Sequence, residues 1–267
     1  MDMYHEIALQ LYDGRLHLAP LKDPQKILDI GTGTGIWAID MADTYPMAEV
    51  IGIDLSPTQP GWVPPNCKFE VDDAEQDWTF QPDSFDFIHA RNIAQGVSDW
   101  PRLVSQAYRC TKPDGYVELS EVGQTAFCDD GTMADDNPIK VYLEILTDAM
   151  TKFGRPPVGD NTLKENLESA GFVDIKTNKK KEPIGPWAKD KRLKSVGTMT
   201  LLNGEEAFHS YGMMAFTRIL GMETEAAEKL CRDAVQAMYN KNHHIYFCNY
   251  VAYGRKPEKP VSKEPKE

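Results

Sequence analysis

The feature that most restricts this chain is Asp29-Ile30-Gly31-Thr32-Gly33-Thr34-Gly35, a glycine cluster between a short apolar run, Lys26 to Ile30, and a stretch of helical period, Ile36 to Thr44. Apolar run, tight loop and helical period in that order read as strand, turn and helix. The glycines let backbone N–H groups approach a ligand closely at the positive end of the helix dipole. A nucleotide-like ligand belongs there.

The alternation continues downstream. Val50 to Ile53 reads as a second strand ending at Asp54, and Lys68 to Val71 as a third ending at Asp72-Asp73. Phe85 to His89 is a fourth, after the turn signal Gln81-Pro82-Asp83-Ser84. Ser98 is placed to cap a helix running to Arg109, and Lys112-Pro113-Asp114-Gly115 to turn into a fifth strand, Tyr116 to Glu121. Strands separated by helix-sized gaps predict an α/β fold with a parallel, doubly wound, Rossmann-like sheet.

Beyond the fifth strand the pattern changes. Asn137-Pro138 opens a helix with Ile139, Tyr142, Leu143 and Leu146 on one face, stopped by Gly154-Arg155-Pro156-Pro157. Thr162 to Ala170 is a shorter helix ending at Gly171. Phe172 to Thr177 and Ile245 to Tyr253 complete seven strands, and a helical insertion at 186–240 precedes the last of them. Ligands in such sheets sit beyond the carboxyl ends of the strands, so the insertion is expected to cover an acceptor site. One domain is expected over 1–255, followed by a disordered tail at 256–267 rich in Lys, Glu and Pro.

Composition narrows the function classes. The net charge of −12 opposes direct binding of nucleic acid, which relies on Lys and Arg neutralising phosphates. Lys179-Lys180-Lys181 reads as a solvated face. The five cysteines form no C-x-x-C pair, so neither a disulfide framework nor a zinc pattern is expected, and no metal is assigned. The first ten residues lack the basic and apolar regions of a secretory signal, and no apolar run approaches the roughly 20 residues that span a bilayer. The expectation is a cytoplasmic protein without membrane contact, a nuclear location being allowed.

Gly33-Thr34-Gly35-Ile36-Trp37-Ala38 also satisfies the dinucleotide fingerprint G-x-G-x-x-A, with Asp54 where its ribose-binding acid belongs. The loop alone leaves NAD and S-adenosylmethionine open. The neighbours favour S-adenosylmethionine: an anion at Asp29 would oppose a pyrophosphate but suits the ammonium of a methionine moiety. Asp54 suits the ribose hydroxyls and Asp73, before Ala74, the adenine amine, with Leu55 and Trp78 as walls for the base.

Ile27 to Asp40 (ILDIGTGTGIWAID), Val50 to Pro57 (VIGIDLSP) and Trp62 to Trp78 (WVPPNCKFEVDDAEQDW) resemble the fungal LaeA-like methyltransferases. The resemblance continues through FDFIHARN at Phe85, SDWPRL at Ser98, KPDGYVEL at Lys112, PWAKDKRLKSVG at Pro186 and AYGRKP at Ala252, nearly the whole chain. It implies the seven-stranded methyltransferase fold and use of S-adenosylmethionine, with Asp29, Gly31, Gly33, Asp54, Asp73 and Ala74 matched to cofactor contacts; Gly35, Leu55 and Arg91 join them from their positions. The family's segment ahead of the first strand is usually longer than the about 26 residues here, which puts the completeness of the acceptor pocket in question.

Methyl transfer is an in-line displacement, so orientation supplies most of the catalysis and a base matters only where the acceptor keeps its proton. Arg91, Asn92 and His209 are the residues assigned to catalysis, with Glu121 and His5 also expected near the acceptor. Trp187, Phe208, Tyr211 and Phe216 are aromatic residues available to line a pocket. The expected function is O- or N-methylation of a small-molecule acceptor in fungal secondary metabolism. The alternatives are a LaeA-like nuclear regulator working through protein partners and an S-adenosylmethionine-binding enzyme that does not methylate. Both a homodimer and a regulatory protein partner are compatible with the sequence.

Overall fold

A computed structural model describes residues 3–258. The elements run α1 (Met3–Leu11), β1 (Lys26–Ile30), α2 (Ile36–Thr44), β2 (Glu49–Asp54), β3 (Cys67–Val71), β4 (Phe85–Arg91), α3 (Trp100–Cys110) and β5 (Thr111–Val122). They continue with α4 (Pro138–Lys152), α5 (Asp160–Ala170), β6 (Val173–Pro183), α6 (Lys191–Met213), a π turn (Met214–Ile219), α7 (Thr224–Met238) and β7 (Tyr246–Arg255). The strands form one sheet in the order β3-β2-β1-β4-β5-β7-β6. β1 to β5 are parallel, and β7 enters antiparallel between β5 and β6.

Alternation along the central strands buries both faces. Ile27, Val50 and Phe87 point to the α2 side with Trp37 and Met41, whereas Leu28, Ile51 and Ile88 point to the α3 and α5 side with Leu103, Val104 and Leu163. A separate apolar cluster joins α4, α6 and α7 through Tyr142, Phe208, Phe216 and Cys231. It forms a helical layer before β7, over the region where the insertion was expected. α1 packs through Ile7 and Leu11 against Val196 of α6 and Val251 of β7.

Several local features differ from the sequence expectations for physical reasons. Asp99, not Ser98, caps α3 by accepting from Arg102 N at 2.9 Å, because the Ser98 hydroxyl donates to Glu75 Oε1. The turn expected at 112–115 is an irregularity inside β5, where pairing with β4 shifts register between Phe85 and Phe87. β6 runs on to Pro183, so the lysine run lies on an edge strand: Lys179 sits over the rings of Phe127 and Tyr250, and Lys181 over Tyr246. Charged residues on an edge strand oppose pairing with another sheet.

Lys256, the first residue of the expected tail, is 7% exposed and donates through Nζ to Asp83 Oδ1 and to the carbonyls of Tyr108 and Thr111. The rest of that tail from 259 onward lies outside the described residues. Among the described residues no helix is long and apolar enough to cross a membrane.

Candidate functional site

β1 opens into the glycine loop. Gly31, Gly33 and Gly35 all take left-handed backbone angles, with φ of +65°, +57° and +81°. Their reasons differ. A Cβ on Gly31 would lie 2.4 Å from Ile93 Cγ2, so the loop and the segment after β4 close on each other only because that atom is missing. A Cβ on Gly33 would meet open space. Gly35 is buried at the N-cap of α2, and a Cβ there would lie 2.3 Å from Phe69 Cζ, so its bareness serves the packing of α2 on β3.

The strand order sets three acids in a row at the carboxyl ends of β1, β2 and β3. Asp29, 3% exposed, accepts from His89 Nδ1 at 2.7 Å through Oδ1 and from Thr32 Oγ1 at 2.6 Å through Oδ2. The His89 ring stacks on Trp37 at 3.7 Å, and burial lowers its pKa, which keeps the imidazole neutral with its proton on Nδ1. Asp54 accepts from Gly33 N at 2.8 Å and Ser56 N at 3.0 Å, so it also shapes the loop. Asp73 accepts from Glu75 N and Gln76 Nε2 and thereby holds the turn after β3. Leu55 is 68% exposed nearby, but Trp78 is not a wall: its indole donates to Ala74 O and lies in the core at 6% exposure.

A cavity of about 630 Å³ opens over β1, β4 and β5. Asp29, Gly31 and Gly33 form one side, Arg91, Asn92 and Glu121 the other, and α6 supplies Asn203, Glu206 and Ser210 along the rim. Of the residues assigned from sequence, the cavity therefore collects Asp29, Gly31, Gly33, Arg91 and Asn92. Gly35, Asp54, Leu55, Asp73 and Ala74 are outside its walls, on the β2 and β3 side of the loop.

His209 is not in the cavity. Positions 203, 206, 207 and 210 share one face of α6, and His209, a hundred degrees of helical turn from its neighbour, points elsewhere, with its ring 57% exposed and 3.9 Å from Glu228. Phe208 and Phe216 pack on Tyr142 and Trp187 donates to Ile245 O, so of the four aromatic residues only Tyr211 reaches the cavity.

Tyr4, Gln95 and Gln124, not singled out from sequence, complete the site, and His5, expected near the acceptor, stands behind Arg91 and outside the cavity lining. α1 brings Tyr4 to the cavity and places His5 between Arg91 and Asp40: Arg91 Nη2 is 3.1 Å from His5 Nδ1, and His5 Nε2 is 2.8 Å from Asp40 Oδ2. A guanidinium only donates, so Nδ1 accepts and Nε2–H donates to the carboxylate. The Tyr4 hydroxyl accepts from Asn249 Nδ2 at 2.6 Å, and Asn249 Oδ1 accepts from Tyr12, a knot that ties the amino-terminal segment to β7 around the fully buried Asn249. Gln95 and Gln124 line the cavity with Oε1 atoms that are buried and lack a donor.

Residues 3–177 match the family described as a methyltransferase domain. The methyltransferase pytC of Aspergillus terreus is 38% identical over 260 residues, 96% of this chain and 80% of its own length. The secondary metabolism regulator LAE1 of Cochliobolus heterostrophus is 34% identical over 265 residues, 97% of this chain and 86% of its own. A solved phosphoethanolamine N-methyltransferase of Haemonchus contortus, bound to phosphomonomethylethanolamine and S-adenosylhomocysteine, superposes with a TM-score of 0.54 at 21% identity. That alignment covers 95% of this chain and 52% of the worm enzyme, so this chain spans about half of it.

Proposed function

The chain belongs to the methyltransferase-domain family and is an S-adenosylmethionine-dependent methyltransferase, and from that premise we propose that it methylates an oxygen or nitrogen of a small molecule in fungal secondary metabolism. The observation that carries the acceptor reading is the single cavity that runs from the glycine loop to Arg91, Asn92 and Glu121 under the rim of α6. It has room for a ligand beyond the loop, and its volume lies within the range of small-molecule sites.

The residues fit the cofactor. The left-handed loop at Gly31 and Gly33 presents backbone rather than side chains, with open space above Gly33. In this reading Asp29 faces the methionine ammonium, Asp54 the ribose hydroxyls, and Asp73 with Ala74 and Leu55 the adenine. The bound cofactor supplies a methyl group made electrophilic by its sulfonium. The chain's own residues orient the acceptor: Arg91, held by His5, and Asn92 sit at the end of β4 where they can fix its direction, which is the main catalytic need in a displacement. His209 has no part in this arrangement.

Incubation with S-adenosylmethionine carrying a labelled methyl and a fungal metabolite extract is expected to yield S-adenosylhomocysteine and a small molecule bearing the label. Label that stays in the cofactor, with the acceptor isomerised instead, would mean a non-methylating use of the site. The likeness to LAE1 supports a second reading, regulation through protein partners. Label recovered on a polypeptide, or stable co-purification with a transcriptional complex, would favour it.

A further inference from the structure

Glu121 is 3% exposed yet lines the cavity, and among the described residues no cation pairs with it. Its Oε1 accepts two backbone bonds, from Ile93 N at 2.8 Å and Ala94 N at 3.1 Å. Those bonds fix the carboxyl against the segment that follows β4 and leave Oε2 to the cavity. The other acid in the wall differs: Asp29 has both oxygens committed, to His89 and to Thr32. The two histidines near the site are likewise engaged, His89 with Asp29 and His5 with Arg91 and Asp40. A second observation concerns what the acceptor must offer. Gln95 and Gln124 also line the cavity, and their side-chain amides offer polar partners to a ligand that carries N–H or O–H groups.

We propose that Glu121 is the proton acceptor of the reaction, and that the methyl acceptor is therefore an N–H or O–H nucleophile, an amine or a hydroxyl compound, rather than a carboxylate or a thioether. This rests on the methyltransferase reading above. The acceptor's N–H or O–H bond breaks and its proton passes to Glu121 Oε2. The pair left on nitrogen or oxygen forms the new bond to the methyl carbon, the carbon–sulfur pair leaves with sulfur as a neutral thioether, and the proton is lost to solvent after product departs. Burial pushes the Glu121 carboxyl up to about 8, against the two backbone N–H groups that lower it, which suits a base for such groups near neutral pH. The charged and titratable groups that share the cavity with it are Asp29 of β1, His89 and Arg91 of β4, Glu206 and Tyr211 of α6, and Tyr4 of α1.

The test uses the whole chain and Glu121→Gln, which keeps an Oε1 for the two backbone donors. Calorimetry with S-adenosylhomocysteine comes first: equal affinity in both proteins shows an intact fold and cofactor site, and no binding by the wild type defeats the methyltransferase reading itself. Infrared difference spectra of the wild type against the variant are then recorded across pH in the presence of S-adenosylhomocysteine. A protonated-carboxyl band that is absent from the variant and lost on raising the pH through about 8 is expected; a Glu121 that stays protonated across the pH range in which the enzyme turns over overturns the proposal. A probe mixture of tyramine, phenylacetate and a methyl thioether, supplied with S-adenosylmethionine, reads the acceptor class. The expected product is N- or O-methyltyramine, with kcat about 100-fold lower in Glu121→Gln, the cofactor KM unchanged and the base-dependent limb of the pH profile missing. Methylation confined to the carboxylate or thioether, or superimposable pH profiles, overturns it.

Discussion

His89 donates through Nδ1 to Asp29 Oδ1 at 2.7 Å, and the same carboxylate takes the Thr32 hydroxyl on its other oxygen. The acid at the end of β1 is thus aimed by β4 and by its own loop. Burial lowers the pKa of the imidazole and so favours its neutral form, which meets Asp29 as a hydrogen-bond donor. His89→Ala removes this bond and the ring stacked on Trp37, so unfolding free energy is expected to fall by about 3 kcal/mol. Denaturant unfolding checks the loss, and calorimetry should show S-adenosylhomocysteine bound about tenfold more weakly, near 1.4 kcal/mol.

Asp54→Ala should affect binding more than stability. Its carboxylate fixes Gly33 N–H and stands at the β2 end as the proposed ribose acceptor. Loss of charge-assisted bonds worth about 1.5–3 kcal/mol predicts a Kd for S-adenosylhomocysteine higher by about 10- to 100-fold. An unchanged Kd would take the ribose away from this residue.

Gly31→Ala and Gly33→Ala separate close packing from backbone angle. Both positions are left-handed, which costs about 1 kcal/mol for a side chain. Only at Gly31 does the new methyl also meet Ile93, which must shift. Thermal unfolding should therefore drop clearly further for Gly31→Ala than for Gly33→Ala.

The glycine loop, the strand ends and the helical layer before β7 are legible in the sequence because each rests on a local pattern: apolar runs, turn residues and helical period. The site's other half is not. α1 is a nine-residue stretch whose meaning depends on Asn249 and Arg91, far along the chain, and no local period announces that Tyr4 and His5 will meet them. His209 shows the related difficulty: the helix around it is evident, but which of its faces turns inward is set by packing on Tyr142 and Met238. Glu121 was legible as a strand-end acid, whereas its sealed surroundings became visible only with the fold.

Stability should fall as pH rises through neutrality. Burial pushes the carboxyls of Glu118 and Glu182 up to about 7 and that of Glu121 up to about 8. An unfolded Glu titrates near about 4.3, so between that value and about 8 the native state binds more protons than the unfolded chain. The sign follows: unfolding free energy declines from about pH 4.5 to about 8 and flattens above. Glu182→Gln should reduce that slope by about 1 kcal/mol per pH unit near pH 6, measured from urea midpoints at several pH values.

The bonds from Asn249 to Tyr4 and Tyr12 set an order of events during synthesis. The glycine loop and the first five strands leave the ribosome well before β7, the final strand of the described fold. Until that strand threads between β5 and β6, Tyr4 and Tyr12 lack their shared Asn249 partner and α1 lacks its packing against Val251. Contacts between such distant segments form late, because the chain between them must first be ordered. A nascent chain halted before residue 249 would carry the whole glycine loop and still lack the side chain that joins its amino terminus to the last strand.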